Sequence, residues 1–183
     1  MPIAVDAYTL GGVASGVLSR EGHLREILEQ EGQLTLGRVQ WRPLDGKLQP
    51  AGDVTIAIDD ILIAVAVDET AIPVHAQWHA IRLELGPYVV EGEMPTMPGF
   101  DPGRALTRPT GEFVLLRDVR IGRRTEREGA PANLPIGHHA LVNRYIVETV
   151  AADLMLGFFF PGAQMINTEP DPPVSHALGE ATT

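Results

Sequence analysis

Six histidines and one arginine-rich run are the residues whose types lend themselves to site chemistry. His75 and His79 stand four apart in Pro73-Val74-His75-Ala76-Gln77-Trp78-His79. On a helix that spacing brings two imidazoles to one face, the beginning of a zinc site. The segment falls between strand-like runs, however, and on an extended chain the two rings would lie about 13 Å apart, too far to share an ion. Packing around Trp78 is the reading that needs no metal. His138-His139 opens another strand-like run, where neighbours point to opposite faces, so at most one of the two can enter a site. The pair matches Asp59-Asp60 at the start of an earlier run, and solvated strand ends account for both. No metal and no cofactor is expected.

The run from Arg117 to Glu128 is the one basic concentration in the chain. As a hairpin or loop it would present Arg117, Arg120, Arg123, Arg124 and Arg127 to a phosphate, a carboxylate ligand or an acidic partner. Asp118, Glu126 and Glu128 interleave with them, which equally suits a solvated or subunit-pairing edge. Catalytic signatures are missing. Gly12-Val13-Ala14-Ser15-Gly16 lacks the Gly-x-Ser-x-Gly spacing of a nucleophile elbow, and its glycines lack the Lys-Ser/Thr of a phosphate loop. With no cysteine, thiolate nucleophiles, disulfides and iron–sulfur clusters are excluded. The reading leans away from an enzyme.

Charge and hydropathy narrow the partners. The chain of 183 residues carries 14 Lys+Arg against 24 Asp+Glu, a formal charge of -10 that repels phosphate backbones and anionic membranes at long range. Its 44% hydrophobic content is enough to bury a core. The best candidate for a membrane span, Leu154 to Ile166, is uncharged but is broken by Gly157, Pro161 and Gly162 and falls short of the roughly 20 apolar residues a span needs. The opening Met1-Pro2-Ile3-Ala4-Val5-Asp6 has no basic end or apolar core of a secretory signal, which predicts a cytoplasmic protein.

The elements that must position these residues read as strands, in two similar halves. Tyr8-Thr9-Leu10, a Gly11-Gly12 turn and Val13 to Leu18 are followed by Leu34 and Leu36 at period two, then by the continuous apolar run Ile61 to Val67, suited to a strand covered on both faces. Ile81 to Leu85, a Gly86-Pro87 turn and Tyr88 to Met94 repeat the order, with Phe113 and Leu115 and then Leu141. Gly16 matches Gly92, Gly32 matches Gly111, Leu34 matches Phe113, Leu36 matches Leu115, Arg38 matches Arg117 and Leu62 matches Leu141. Between the second and third strands, Leu24, Ile27 and Leu28 predict a helix within Glu21 to Gln30, and prolines reduce its counterpart to a remnant around Gly103-Arg104-Ala105-Leu106.

The fold expected is mostly β: a tandem duplication of a small five-stranded barrel-like module, with a short helix in the first copy. The modules are set at residues 1–72 and 80–150, joined by a connector at 73–79. Ile146, Val147, Val150, Ala151, Leu154 and Met155 fit one helix face, although Tyr145 to Val150 equally extends the last strand. Residues 151–166 are an apolar packing or oligomerisation segment, with Leu154, Phe158, Phe159, Phe160 and Met165 as its interface, and 167–183 read as a disordered tail. The order of turn, strand glycine, short helix and a strand leading to Asp118-Val119, then Leu141-Val142-Asn143-Arg144-Tyr145-Ile146, resembles short β modules of uncharacterised bacterial families and is similar in layout to a small Sm-like barrel. The resemblance covers 80–150 and, more thinly, 5–72. The Asp, Asn and Arg-Gly sets of an Sm-type RNA site are incomplete in both halves, so the resemblance implies no RNA binding. The function expected is that of a non-enzymatic, homo-oligomeric structural or scaffold protein, with a protein partner open. The alternatives are a small-anion-binding enzyme or sensor at the arginine edge, and an RNA-binding barrel.

Overall fold

A computed structural model of the chain describes residues 2–19, 21–67, 73, 75–97, 111–124, 132–133, 138–154, 156 and 159–167. The strands are β1 (Ala4–Thr9), β2 (Gly12–Leu18), β3 (Gln33–Pro43), β4 (Gln49–Ala57), β5 (Ile63–Ala66), β6 (Gln77–Leu85), β7 (Tyr88–Thr96), β8 (Phe113–Arg123), β9 (Ala132–Asn133), β10 (His139–Asn143), β11 (Thr149–Ala152) and β12 (Gln164–Asn167). One helix, α1 (Leu24–Gln30), sits between β2 and β3, and a 3-10 turn at Ile58–Asp60 leads from β4 to β5. The strands form one sheet in the order β12-β11-β6-β7-β8-β10-β5-β1-β2-β3-β4, with β9 attached to β8 off this path. Among the described residues the path does not return on itself and ends at β4 and at β12. No helix among the described residues is long and apolar enough to cross a membrane.

Every residue of β5 and β10 is buried, and so are the first four of β8. Side chains on a strand alternate between faces, so these three neighbours feed two cores at once. Ile63, Val65, Val114, Leu116, Ala140 and Val142 face the core shared with β6, β7 and β11. Ala64, Ala66, Phe113, Leu115 and Leu141 face the core shared with β1, β2, β3 and α1. The helix contributes Leu24, Ile27 and Leu28 to that second set, as their spacing predicts.

The two halves share local geometry around a glycine. Pairing of β2 with β3 shifts at Gly16, and pairing of β7 with β8 shifts at Gly92. A Cβ on Gly16 would stand 2.9 Å from Val39 Cγ2, and one on Gly92 would stand 2.9 Å from the Arg117 carbonyl and 3.2 Å from Val119 Cγ2. Beside each glycine the facing strand holds a left-handed residue, Arg38 at φ 54° and Asp118 at φ 50°. In this local geometry Asp118, and not Arg117, stands where Arg38 stands. The same shift corrects the pairing of Leu34 with Phe113 and of Leu36 with Leu115, because Phe113 and Leu115 point into the first half's core alongside Leu34 and Leu36. With both faces of β8 apolar there, no alternation fixes the register. Nor do Leu62 and Leu141 correspond: they face different cores, and it is β11, not β10, that stands beside β6 as β5 stands beside β1.

Two further expectations are corrected. The two-residue turn of the first hairpin is Leu10-Gly11, since Thr9 pairs with Gly12. Past β10 there is no α-helix among the described residues. The chain turns at Arg144 to Ile146 and enters β11, whose Val150 and Ala152 are buried at period two against β6. Phe160, expected in an oligomer interface, is 1% exposed within the second half's core, and Leu154, Phe159 and Met165 pack against the same core. Phe158, the 103–106 remnant and residues 168–183 of the tail lie outside the described residues, while Asn167 ends β12.

The halves are pinned by Tyr8 and Tyr88, whose rings meet edge to face with centroids 5.3 Å apart, and the Tyr88 hydroxyl donates to the Thr9 carbonyl at 2.9 Å. Burial pushes both hydroxyls up to about 12, Asp6 adding at Tyr8 and Tyr8 adding at Tyr88. A raised value means the fold holds the proton more tightly than the unfolded chain does. The contribution is therefore complete below the ordinary value of 10.0 and is lost as pH rises from there towards about 12. Tyr88→Phe should flatten this alkaline loss in urea unfolding compared at about pH 8 and about pH 11; an unchanged decline would contradict it. Gly92→Ala should cost about 1–3 kcal/mol in the same assay, because its Cβ meets backbone, whereas Gly32→Ala, with open space around it, should cost nothing.

Candidate functional site

The arginine run lands on β8 and meets carboxylates projected by the neighbouring strands. Glu91 on β7 lies between Arg82 on β6 and Arg120 on β8 in register, and accepts 2.7 Å bonds from both. Arg117 reaches Glu93 at 2.7 Å, contacts Asp118 at 3.6 Å, and lies 3.9 Å over the Trp78 ring. Arg124 bridges Glu148 and, at 3.4 Å, Glu84. The Arg124 hydrogen bond holds the Glu148 carboxyl below its ordinary value, helped by the Gly86 amide and opposed by desolvation. Arg123 is half-buried near Tyr88, and Arg127 lies outside the described residues.

This face is a charge ladder over a groove of about 600 Å³ lined by Arg82, Glu91, Glu93, Asp118, Arg120 and Asp153, among others. Its carboxylates outnumber its arginines, so it offers no surplus positive field to a phosphate. The glutamates were legible: a turn at Gly86-Pro87 fixes the hairpin register, and that register alone places Arg82 opposite Glu91.

The histidines do not converge. His75 is exposed in the turn before β6, and His79 shares a 2.9 Å hydrogen bond with the Thr96 hydroxyl across the hairpin. His138 is half-buried and His139 is buried at the start of β10, opposite Ala66. Among the described residues, no three of His, Asp and Glu come together as a metal-binding group.

A different feature has no counterpart in the sequence reading. A cavity of about 530 Å³ opens where β4, at the free edge, arches over the first half's core. Leu10, Trp41, Val54, Ile56, Leu62 and Ile146 form its apolar wall, and Asp59 and Asp60 of the 3-10 turn are its charged lining. Trp41, Val54 and Ile56 sit on the core face, half-buried, because β4 has one neighbour and nothing described covers their far side. The lining hydroxyls are engaged: Thr9 Oγ1 donates to the Gly12 carbonyl at 3.1 Å, and Thr55 pairs with Thr35 at 3.1 Å.

If the Arg124 bridge is what depresses Glu148, its contribution is present above the ordinary glutamate range and lost as pH falls through the depressed value. Both side chains are more than a third exposed, so Glu148→Gln should cost at most about 1 kcal/mol at neutral pH and nothing near pH 3. Urea midpoints at the two pH values check this, and an equal cost at both would contradict it.

Comparison of the chain with protein-family models, with curated proteins and with solved structures returned no match.

Proposed function

We propose that the protein is a non-enzymatic assembly and binding module that associates with copies of itself through the free edge of β4. The observation that carries this reading is the uncharged second half of that strand. Pro50, Gly52 and Asp53 blunt its beginning, but Val54-Thr55-Ile56-Ala57 has no charge, no proline and no neighbour on its outer side among the described residues. The Ile58 amide donates to Gly32 on the β3 side at 3.1 Å, so the alternation of an antiparallel ladder turns the main-chain groups of Thr55 and Ala57 outward.

The edge is self-complementary. Antiparallel pairing about a two-fold axis at Thr55 sets Thr55 against itself, Val54 against Ile56 and Asp53 against Ala57, with no like charges opposed. The interface thereby moves from the Leu154 to Ile166 segment, whose Phe160 is consumed by its own core, to β4. The shared bulge geometry at Gly16 and Gly92 supports descent of the two halves from one module, and lone barrel-like halves give way to a continuous sheet. A small-anion enzyme or sensor and an RNA-binding barrel have less behind them, because Arg82, Arg117, Arg120 and Arg124 already meet carboxylates and the chain carries -10.

Ala57→Pro tests the proposal. Ala57 already has φ -62°, which proline adopts without strain, and its amide faces away from β3, so the fold should survive. Native mass spectrometry should show multiples of 19.8 kDa for the parent and a single 19.8 kDa species for the variant. A parent that is monomeric at every concentration, or a variant that associates unchanged, would overturn the reading.

A further inference from the structure

We infer that the cavity beneath β4 is a binding site for a small amphipathic cation, an aryl or alkyl group ending in an ammonium. It is formed within one chain, so the inference does not require edge pairing, although Thr55 and Ala57 of the β4 edge also line the cavity. Its volume, about 530 Å³, falls in the range of small-molecule sites. Its wall is apolar and includes one tryptophan face, which can stack an aromatic group or face a cation. The wall is also held in shape. Leu62 is 1% exposed in the second half's core, its amide donates to the Tyr8 carbonyl at 2.9 Å, and the Leu10 turn is braced by Thr9 Oγ1. Ile146 comes from the turn after β10, so both halves contribute.

The sign of the ligand's charge follows from the lining. Asp59 and Asp60 are its charged residues, both exposed, and neither makes an ion pair with a described residue. Thr9 and Thr55 already have hydrogen-bond partners, leaving the two carboxylates to select the polar end. A carboxylate or phosphate ligand would meet two like charges there. A neutral apolar ligand would gain the wall alone, whereas an ammonium gains the wall and a charge-assisted bond.

The test uses three probes that share one apolar body: 4-phenylbutylamine, 4-phenylbutanol and 4-phenylbutanoate. In full-length Trp78→Phe protein, emission reports Trp41 alone, since the chain has two tryptophans. The amine should give a saturable change about tenfold tighter than the alcohol, the magnitude of one charge-assisted hydrogen bond, and the carboxylate should give none. Asp59→Asn with Asp60→Asn should bring the amine to the alcohol's affinity without lowering the unfolding midpoint, because both residues are exposed. Amine and alcohol binding equally, carboxylate binding as well as amine, or no saturable response to the amine would each overturn the inference. Leu10→Arg, at a residue 65% exposed, is an independent check: it should abolish amine binding while the protein stays folded, and retained binding would place the ligand elsewhere.

Discussion

Three adjacent strands buried on both faces are the constraint on which the rest of this molecule depends. β5, β10 and the start of β8 have no solvent side, so they are apolar except for His139 and Asn143 at the two ends of β10, and they must be covered twice. The covering layers are the two hairpin-led halves, and neither has a complete core without the shared strands. Loss of Ile63 would open the second half's core and loss of Leu141 the first half's, so one stretch of sheet supports both. A half of about 70 residues buries only about 60% of its unfolded surface, and sharing the central strands adds to what each half buries.

The same arrangement explains why the molecule ends in an open edge. Strands β5 and β10 use their hydrogen bonds on each other, on β1 and on β8, so β4 has nothing left to close against. Its core face then overhangs the first half's interior without sealing it, which leaves Trp41, Val54 and Ile56 half-buried around the cavity. Edge and cavity are two consequences of one unclosed sheet. In the second half the arginines of β6 and β8 pair with the glutamates of β7.

Much of this was legible in the residues. Period two in Leu34 and Leu36, the helical spacing of Leu24, Ile27 and Leu28, the Gly86-Pro87 hairpin and the continuous run around Ile63 each name their element, because each is a local pattern with a local cause. What the sequence hid was relational. The run around Phe113 is apolar on both faces and gave no sign of its register. Val150 and Ala152 alternate over four residues only, too short a stretch to tell a strand from a helix face. Phe160 reads as an interface residue, and its burial in the core shared with β6, β7 and β11 has no local signature. The cavity draws on β1, β3, β4 and the turn after β10, segments more than a hundred residues apart, and no single stretch carries its signature.

The central claim is that β4 pairs with a second β4, and the most direct measurement is hydrogen exchange of the Thr55 and Ala57 amides as a function of protein concentration. In one chain these amides face away from β3 and exchange freely. Pairing predicts protection that grows with concentration and is confined to this strand, while Ile56, bonded to β3, is protected throughout. Fast exchange at Thr55 and Ala57 at concentrations where the protein is oligomeric would place the interface elsewhere and contradict the account.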